Sequence, residues 1–278
     1  INKIYGILNG TSNYILSKML EKKMSFKEVL NRAKELGYAE KNPAADLNGD
    51  DVKSKIQILS SLAFNSLINR ENINVEGIVN VDHIDIQNAK ILGYKIKHLA
   101  IAQLKKNKLL QTVYPCMINE NSYISNINGV LNAIIIEGKP IGKFTIQGEG
   151  AGPGPTTSAL VSDICSILRG NIKYPFSIPN KNRKNISSIN ISQETFSSYI
   201  RLDVLDKTGV LSLITKILSK NRVSVKRLIQ NPFKSKKFAS IVIISHKAKN
   251  HNLVKAIKEL SKKNFIIGKP KFFRIEEI

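Results

Sequence analysis

The sequence predicts an α+β chain in two parts: helices packed on a mixed β-sheet, then a βαββαβ unit. Three observations predict it. Apolar residues recur at helical spacing between residues 11 and 63. From about residue 96 the period shifts toward two, the mark of half-buried strands. From residue 197 onward, strand and helix patterns alternate in the order βαββαβ. Helices first and strands second read as α+β.

The first helix follows Asn9-Gly10-Thr11, with Thr11 or Ser12 as cap and Tyr14, Ile15, Met19 and Leu20 at helical spacing. The second opens on a capping box, Ser25 with Glu28, and stops at Leu36-Gly37. A polar loop is expected over 38–48, broken by Pro43. A third helix is expected over 49–63, with Val52, Ile56, Ile58, Leu59 and Leu62 inward. Strands are expected at 96–103, 109–115, 132–137 and 143–147. A glycine-rich run, 148–155, then leads into a helix at 156–169 that Gly170 ends. Residues 176–196 have no clear period and read as a linker. Beyond it come a strand at 199–205, a helix at 209–220, strands at 223–230 and 238–245, a helix at 253–263 and a strand at 266–273. The domain reading is therefore 1–175, a linker 176–196, and a ferredoxin-like unit at 197–278.

Composition narrows the function. A length of 278 residues suggests about two domains. Hydrophobic residues make up 42 %, which excludes disorder for most of the chain. Lys and Arg number 43 against 21 Asp and Glu, a net charge of +22. That excess permits a nucleic-acid binder, but only eight of the 43 are arginines. Base readers and phosphate clamps favour the planar guanidinium, so a solvated lysine surface is the better reading and no nucleic-acid partner is expected. No apolar run approaches the roughly 20 residues of a membrane-spanning helix, so no membrane partner is expected either. The first residues lack the layout of a secretory signal, and the start at Ile1 reads as a fragment or a processed chain. Cys116 and Cys165 make neither a disulfide framework nor a metal site, and a reducing, cytoplasmic setting is the default. His83, His98, His246 and His251 are scattered, and none is expected to be catalytic.

The densest cluster of reactive residue types lies between Gly37 and Lys55. Asp51 and Lys55 are four apart and share one helix face, while Glu40 and Asp46 sit in the loop before it. Several carboxylates beside one lysine suit a substrate ammonium and a base. The same residues also suit an ordinary helix start, where acidic residues are favoured and an Asp–Lys pair is common.

Family resemblance adds to this reading. Gly6-Ile7-Leu8-Asn9-Gly10-Thr11-Ser12-Asn13-Tyr14-Ile15, Leu36-Gly37-Tyr38-Ala39-Glu40 and Pro43-x-x-Asp46-x-x-Gly49-x-Asp51-x-x-x-Lys55 closely resemble the substrate-binding domain of homoserine dehydrogenases. Leu92-Gly93-Tyr94-x-Ile96-Lys97 and Gly150-Ala151-Gly152-x-x-Pro155-Thr156-x-Ser158-Ala159 continue the match, which covers about residues 1–172. The resemblance implies NAD(P)-dependent interconversion of L-homoserine and L-aspartate 4-semialdehyde, in threonine, methionine and isoleucine biosynthesis. It implies Lys55 and Asp46 as catalytic residues, with Glu40, Asp51 and Tyr38 binding substrate. Gly37, Gly150, Ala151 and Gly152 would approach NADP or NAD.

A lysine takes a proton from an alcohol only when its pKa falls toward neutrality. Carboxylates oppose that shift, and burial or a second cation favours it. The family supplies a second lysine from a Rossmann domain placed ahead of these motifs. That domain, with the main dinucleotide site, is expected to be absent from this chain. The run Gly148-x-Gly150-x-Gly152 lacks G-x-G-x-x-G spacing and, taken alone, reads as a tight strand–helix connection.

The second part resembles an ACT domain. Asp206, Thr208, Gly209 and Val210 lie between its first strand and first helix, where ACT domains take a small amino acid at a dimer interface. Free N–H groups at a helix start suit a carboxylate. Threonine as effector and a homo-oligomer are implied; a plain dimerisation module is the alternative for this unit. For the whole chain, the rival reading is a non-catalytic, ACT-bearing amino-acid sensor.

Overall fold

The computed structural model describes residues 1–68, 73–171, 174, 176, 178–232 and 237–278. The chain divides into two units. One comprises residues 1–87, 96–115 and 120–189; the other comprises 88–95, 116–119 and 190–278.

The elements over the first 168 residues are β1 (Lys3–Ile7), α1 (Gly10–Lys22), α2 (Phe26–Glu35), α3 (Ala44–Asn48), α4 (Asp50–Phe64), β2 (Asn74–Val75), α5 (His83–Ile91), β3 (Tyr94–Lys105), β4 (Lys108–Asn119), β5 (Leu131–Gly138), β6 (Gly142–Glu149) and α6 (Pro153–Leu168). The sheet of the first unit runs β6-β5-β1-β3-β4, with β2 parallel beside β4. Four strands match the expected ones. The strand β1 was not expected. It is antiparallel to both β3 and β5, and its last four residues are buried. Its five residues beside a helix start are too short an apolar run for periodicity to tell a strand from a helix lead-in. The turn from β3 to β4 uses Lys106 and Asn107 at φ 47° and 61°, a left-handed pair suited to a tight hairpin.

The helix α4 packs Val52, Ile56 and Phe64 against Leu8, Ala100, Ala102, Leu109 and Val113. Each such apolar side chain, fully buried, contributes about 1.5–3 kcal/mol. Ile58 and Leu62, expected inward, are each 44 % exposed. The 3.6-residue turn that buries Val52 and Ile56 carries them to the opposite side. Part of the expected 38–48 loop is helical, because the Pro43 carbonyl accepts from Leu47 N and opens α3. The cap of α1 is Asn9 rather than Thr11 or Ser12: its Oδ1 accepts from Ser12 N at 2.8 Å. The box at Ser25 and Glu28 forms as expected. No residue of α6 is buried, and Leu160, Val161, Ile164, Ile167 and Leu168 are exposed.

Residues 180–189 do not hang free as a linker. Lys184 N donates to Asn65 O and Leu109 N to Ser187 O, and Ile186 packs on the core beneath α4. Ile186, isolated in this aperiodic stretch, is a core anchor.

The second unit holds β7 (Thr195–Leu205), α7 (Val210–Lys220), β8 (Val225–Pro232), β9 (Phe238–Ser245), β10 (Ala248–Lys249), α8 (Asn250–Leu260) and β11 (Ile266–Glu276). Its sheet runs β11-β7-β9-β8 with antiparallel neighbours. Along β7 the pleat turns Ile200, Leu202 and Val204 toward Ile214, Leu218, Leu253 and Leu260 of the two helices. The alternate positions carry Tyr199, whose hydroxyl accepts from Asn88 Nδ2 at 3.1 Å, and Arg201, paired with Asp203 at 2.8 Å. Cys116, Met117 and Ile118 pair in parallel with Arg274, Ile275 and Glu276. Most of the lysine bunch at 234–237 lies outside the described residues.

Candidate active site

Three elements of the first unit converge on one cluster. The turn from β1 into α1 supplies Leu8 and Asn9, α3 supplies Asp46, and the first two turns of α4 supply Asp51 and Lys55. Asn9 Nδ2 donates to Asp46 Oδ1 at 2.7 Å and to Asp51 Oδ2 at 2.9 Å. One amide thus holds two carboxylates that would otherwise repel. Lys55 Nζ lies 2.8 Å from Asp51 Oδ2 and donates to the Leu8 carbonyl at 3.0 Å. Ser12 Oγ donates to Asp46 O at 3.0 Å, so α1 fixes both ends of this network.

Sequence reasoning missed Asn9. It lies inside the Gly6–Ile15 motif, ahead of the expected caps Thr11 and Ser12. Asn is among the best N-caps, which is the signal that could have singled it out. Asn9→Ala is expected to destabilise the chain by about 0.5–2 kcal/mol through the lost cap, and to leave Asp46 and Asp51 without their shared donor. Denaturant unfolding checks the loss of stability.

Glu40 and Tyr38 lie on the exposed loop after α2. Thr11 Oγ1 donates to Tyr38 O at 2.6 Å, and the Tyr38 ring meets Tyr14 at 4.9 Å, so the loop is tied to α1. Gly37 ends α2 at φ 74°.

Beside Lys55 opens a cleft of about 400 Å³, lined also by Leu8, Leu59, Asn132, Ile134, Ile146, Gly148 and Gly150. It brings Lys55 and Gly150, assigned to separate roles by the sequence, to one cavity. A Cβ on Gly150 would meet the side-chain amide of Asn132, which would have to turn aside. Ala151 and Gly152 are exposed beyond it. The walls are mostly apolar and the reactive groups sit at one side, the layout of a small-molecule site. No group of three or more His, Cys, Asp or Glu fit for a metal is found among the described residues.

His98 is fully buried beneath the start of α4. A Cβ on Gly49 would stand 3.3 Å from its ring. Nε2 faces the Glu76 carbonyl at 3.0 Å, and Nδ1 has no partner among the described residues. Burial lowers its pKa to about 4, against a smaller opposing effect of the Glu76 carbonyl.

In the second unit, Asp206, Thr208 and Gly209 are exposed on the loop before α7. Gly209 has φ 87°, a conformation costly for any other residue. Val210 turns its side chain into the core, and its N–H donates to Lys207 O. No side chain caps α7, and Gln230 Nε2 reaches Asp206 Oδ1 at 3.3 Å.

Residues 1–165 match the family model for homoserine dehydrogenase. The chain belongs to the homoserine dehydrogenase family. Residues 198–264 match the ACT domain model. Homoserine dehydrogenase of Helicobacter pylori is 37 % identical over 277 residues, 98 % of this chain and 64 % of that protein. The Bacillus subtilis enzyme is 35 % identical over 88 % of this chain and 57 % of its own length. The crystal structure of a homoserine dehydrogenase from Thiobacillus denitrificans superposes with a TM-score of 0.91 at 32 % identity, covering 100 % of this chain and 64 % of that one. A hyperthermophilic archaeal homoserine dehydrogenase mutant in complex with NADPH matches at a TM-score of 0.51 and 25 % identity, over 65 % of this chain and 49 % of its own. The chain thus spans about six tenths of the length of the curated relatives it matches, 64 % and 57 % in these two cases.

Proposed function

We propose that the first unit forms the substrate side of a homoserine dehydrogenase that interconverts L-homoserine and L-aspartate 4-semialdehyde with NADP or NAD. The observation that carries this reading is Lys55, which stands between the Asn9–Asp46–Asp51 network and the cleft walled by Gly148 and Gly150. In this reading Asp51 and Glu40 attract the substrate ammonium. Lys55 moves the hydroxyl proton, and Asp46 orients that hydroxyl. A bound nicotinamide would supply the hydride acceptor, and the Gly148–Gly150 backbone would wall its side of the cleft.

The exposed apolar face of α6 supports an assembly larger than these 278 residues, through further polypeptide or a second copy. No helix among the described residues is long and apolar enough to cross a membrane, and we place the protein in the cytoplasm. The second unit serves as an amino-acid sensor. Its uncapped helix start at Gly209 suits the carboxylate of a small amino acid, with threonine the effector.

Two measurements test this. Adding L-homoserine to the full-length protein should reduce NAD(P)⁺. Threonine should lower that rate, and Gly209→Val should abolish the threonine response while leaving the uninhibited rate. Calorimetry showing no threonine heat would reduce the second unit to a dimerisation module.

A further inference from the structure

Asn132 stands on the wall of the cleft beside Lys55, among Leu8, Leu59, Ile134 and Ile146. It is the second residue of β5 and pairs with Gly148 of β6. The Leu131 carbonyl before it accepts from Asn13 Nδ2 at 3.0 Å, so α1 fixes the backbone at this point. The two ends of the Asn132 amide have different surroundings. Oδ1 is buried and has no hydrogen-bond partner among the described residues. Nδ2 is the end that meets Gly150, and a Cβ built there would stand 2.0 Å from it. Asn132 and Gly150 both line the cleft, so Nδ2 is the end on the open side.

A buried carbonyl oxygen without a donor is unfavourable. Leucine, of similar shape, would fill the same place without that penalty. The fold therefore gains nothing from an amide at this position, and its polarity is explained by what the open end meets. Small-molecule sites are built in this way, with apolar walls and a few polar groups that fix orientation. Nδ2 is a neutral donor and suits a neutral carbonyl oxygen, whereas a carboxylate is held more strongly by a cation. The amide also lies against Gly150, on the wall assigned above to the cofactor. The nicotinamide carboxamide carries an oxygen of this kind.

We propose that Asn132 binds the carboxamide of the nicotinamide, with Nδ2 donating to the carboxamide oxygen. The proposal rests on the reading of the first unit as part of an NAD(P)-dependent enzyme, and it adds the residue that orients the ring.

The test is direct binding of NADPH and NADH to the full-length protein, followed by reduced-nicotinamide fluorescence. Asn132→Leu and Asn132→Ala should each raise the Kd of the cofactor that the wild type binds by about 3- to 10-fold, the weight of one neutral hydrogen bond. Homoserine, titrated by calorimetry, should bind all three proteins alike. Asn132→Leu should unfold at a Tm no lower than the wild type, because the unpartnered oxygen is gone. The 3-acetylpyridine analogue of the cofactor keeps the carbonyl oxygen and carries a methyl in place of the amino group. Its competition against the reduced cofactor should weaken by the same factor in both variants. Equal cofactor Kd values in the three proteins overturn the role of Asn132 and leave the reading of the first unit standing. A wild type that binds neither cofactor overturns both. Weaker homoserine binding with unchanged cofactor binding assigns Asn132 to the substrate and overturns the proposal. So does an analogue that binds the wild type and the variants equally, since the contact would then be to the amino group. A fall in Tm with loss of both ligands in both variants makes Asn132 a structural residue and overturns it as well.

Discussion

Lys55→Met in the full-length enzyme is expected to lower kcat by about 10²-fold or more, the usual weight of a positioned proton-transfer group, with homoserine binding retained. The expectation follows from position. Nζ is held from two sides, by Asp51 Oδ2 and by the Leu8 carbonyl, at the edge of the cleft. Methionine keeps the length of the stem and its packing but has no proton to exchange. Asp51 would lose its cation and keep Asn9, so the carboxylates should still attract the substrate ammonium. The predicted signature is therefore a fall in kcat with little change in KM. A fall in binding with kcat retained would instead make Lys55 an electrostatic partner of Asp51.

Acid is expected to destabilise the first unit through His98. The imidazole is neutral in the native protein because burial lowers its pKa to about 4. Nε2 donates to the Glu76 carbonyl, which leaves Nδ1 as the atom to be protonated, in a place with no acceptor among the described residues. In the unfolded chain the histidine titrates near its ordinary value of about 6.5. Between these two values the unfolded state binds a proton that the native state does not. Stability is therefore intact above about pH 6.5 and falls toward pH 4, by about 3 kcal/mol in all. Urea unfolding at a series of pH values should show this slope, and His98→Gln should flatten it. Equal slopes in the two proteins would mean that other groups carry the acid sensitivity. Since His98 packs beneath Gly49, the loss should be felt first at the start of α4.

Much of this architecture was legible from residues that act locally. The Ser25–Glu28 box needs only four residues, and it forms. The βαββαβ pattern was legible because β7 carries Ile200, Leu202 and Val204 at alternate positions facing the helices, and α7 and α8 repeat their apolar residues at helical spacing. Tertiary effects hid the rest. The strand β1 is five residues beside a helix start, too short an apolar run to tell from a helix lead-in. Asn9 was not singled out because its two carboxylate partners are 37 and 42 residues away. The spacing of Asp51 and Lys55 placed them on one face, and they do pair, but spacing alone could not tell a surface pair from one at a cleft.

The most direct measurement is the absorbance of reduced nicotinamide when L-homoserine is added to the full-length protein and to its Lys55→Met variant, with calorimetry of homoserine binding to both. Homoserine-dependent reduction in the wild type, its near loss in the variant, and binding in both is the predicted result. No homoserine-dependent reduction with either NAD⁺ or NADP⁺, or equal rates in the two proteins, would contradict the assignment of Lys55 and its cleft as the active site.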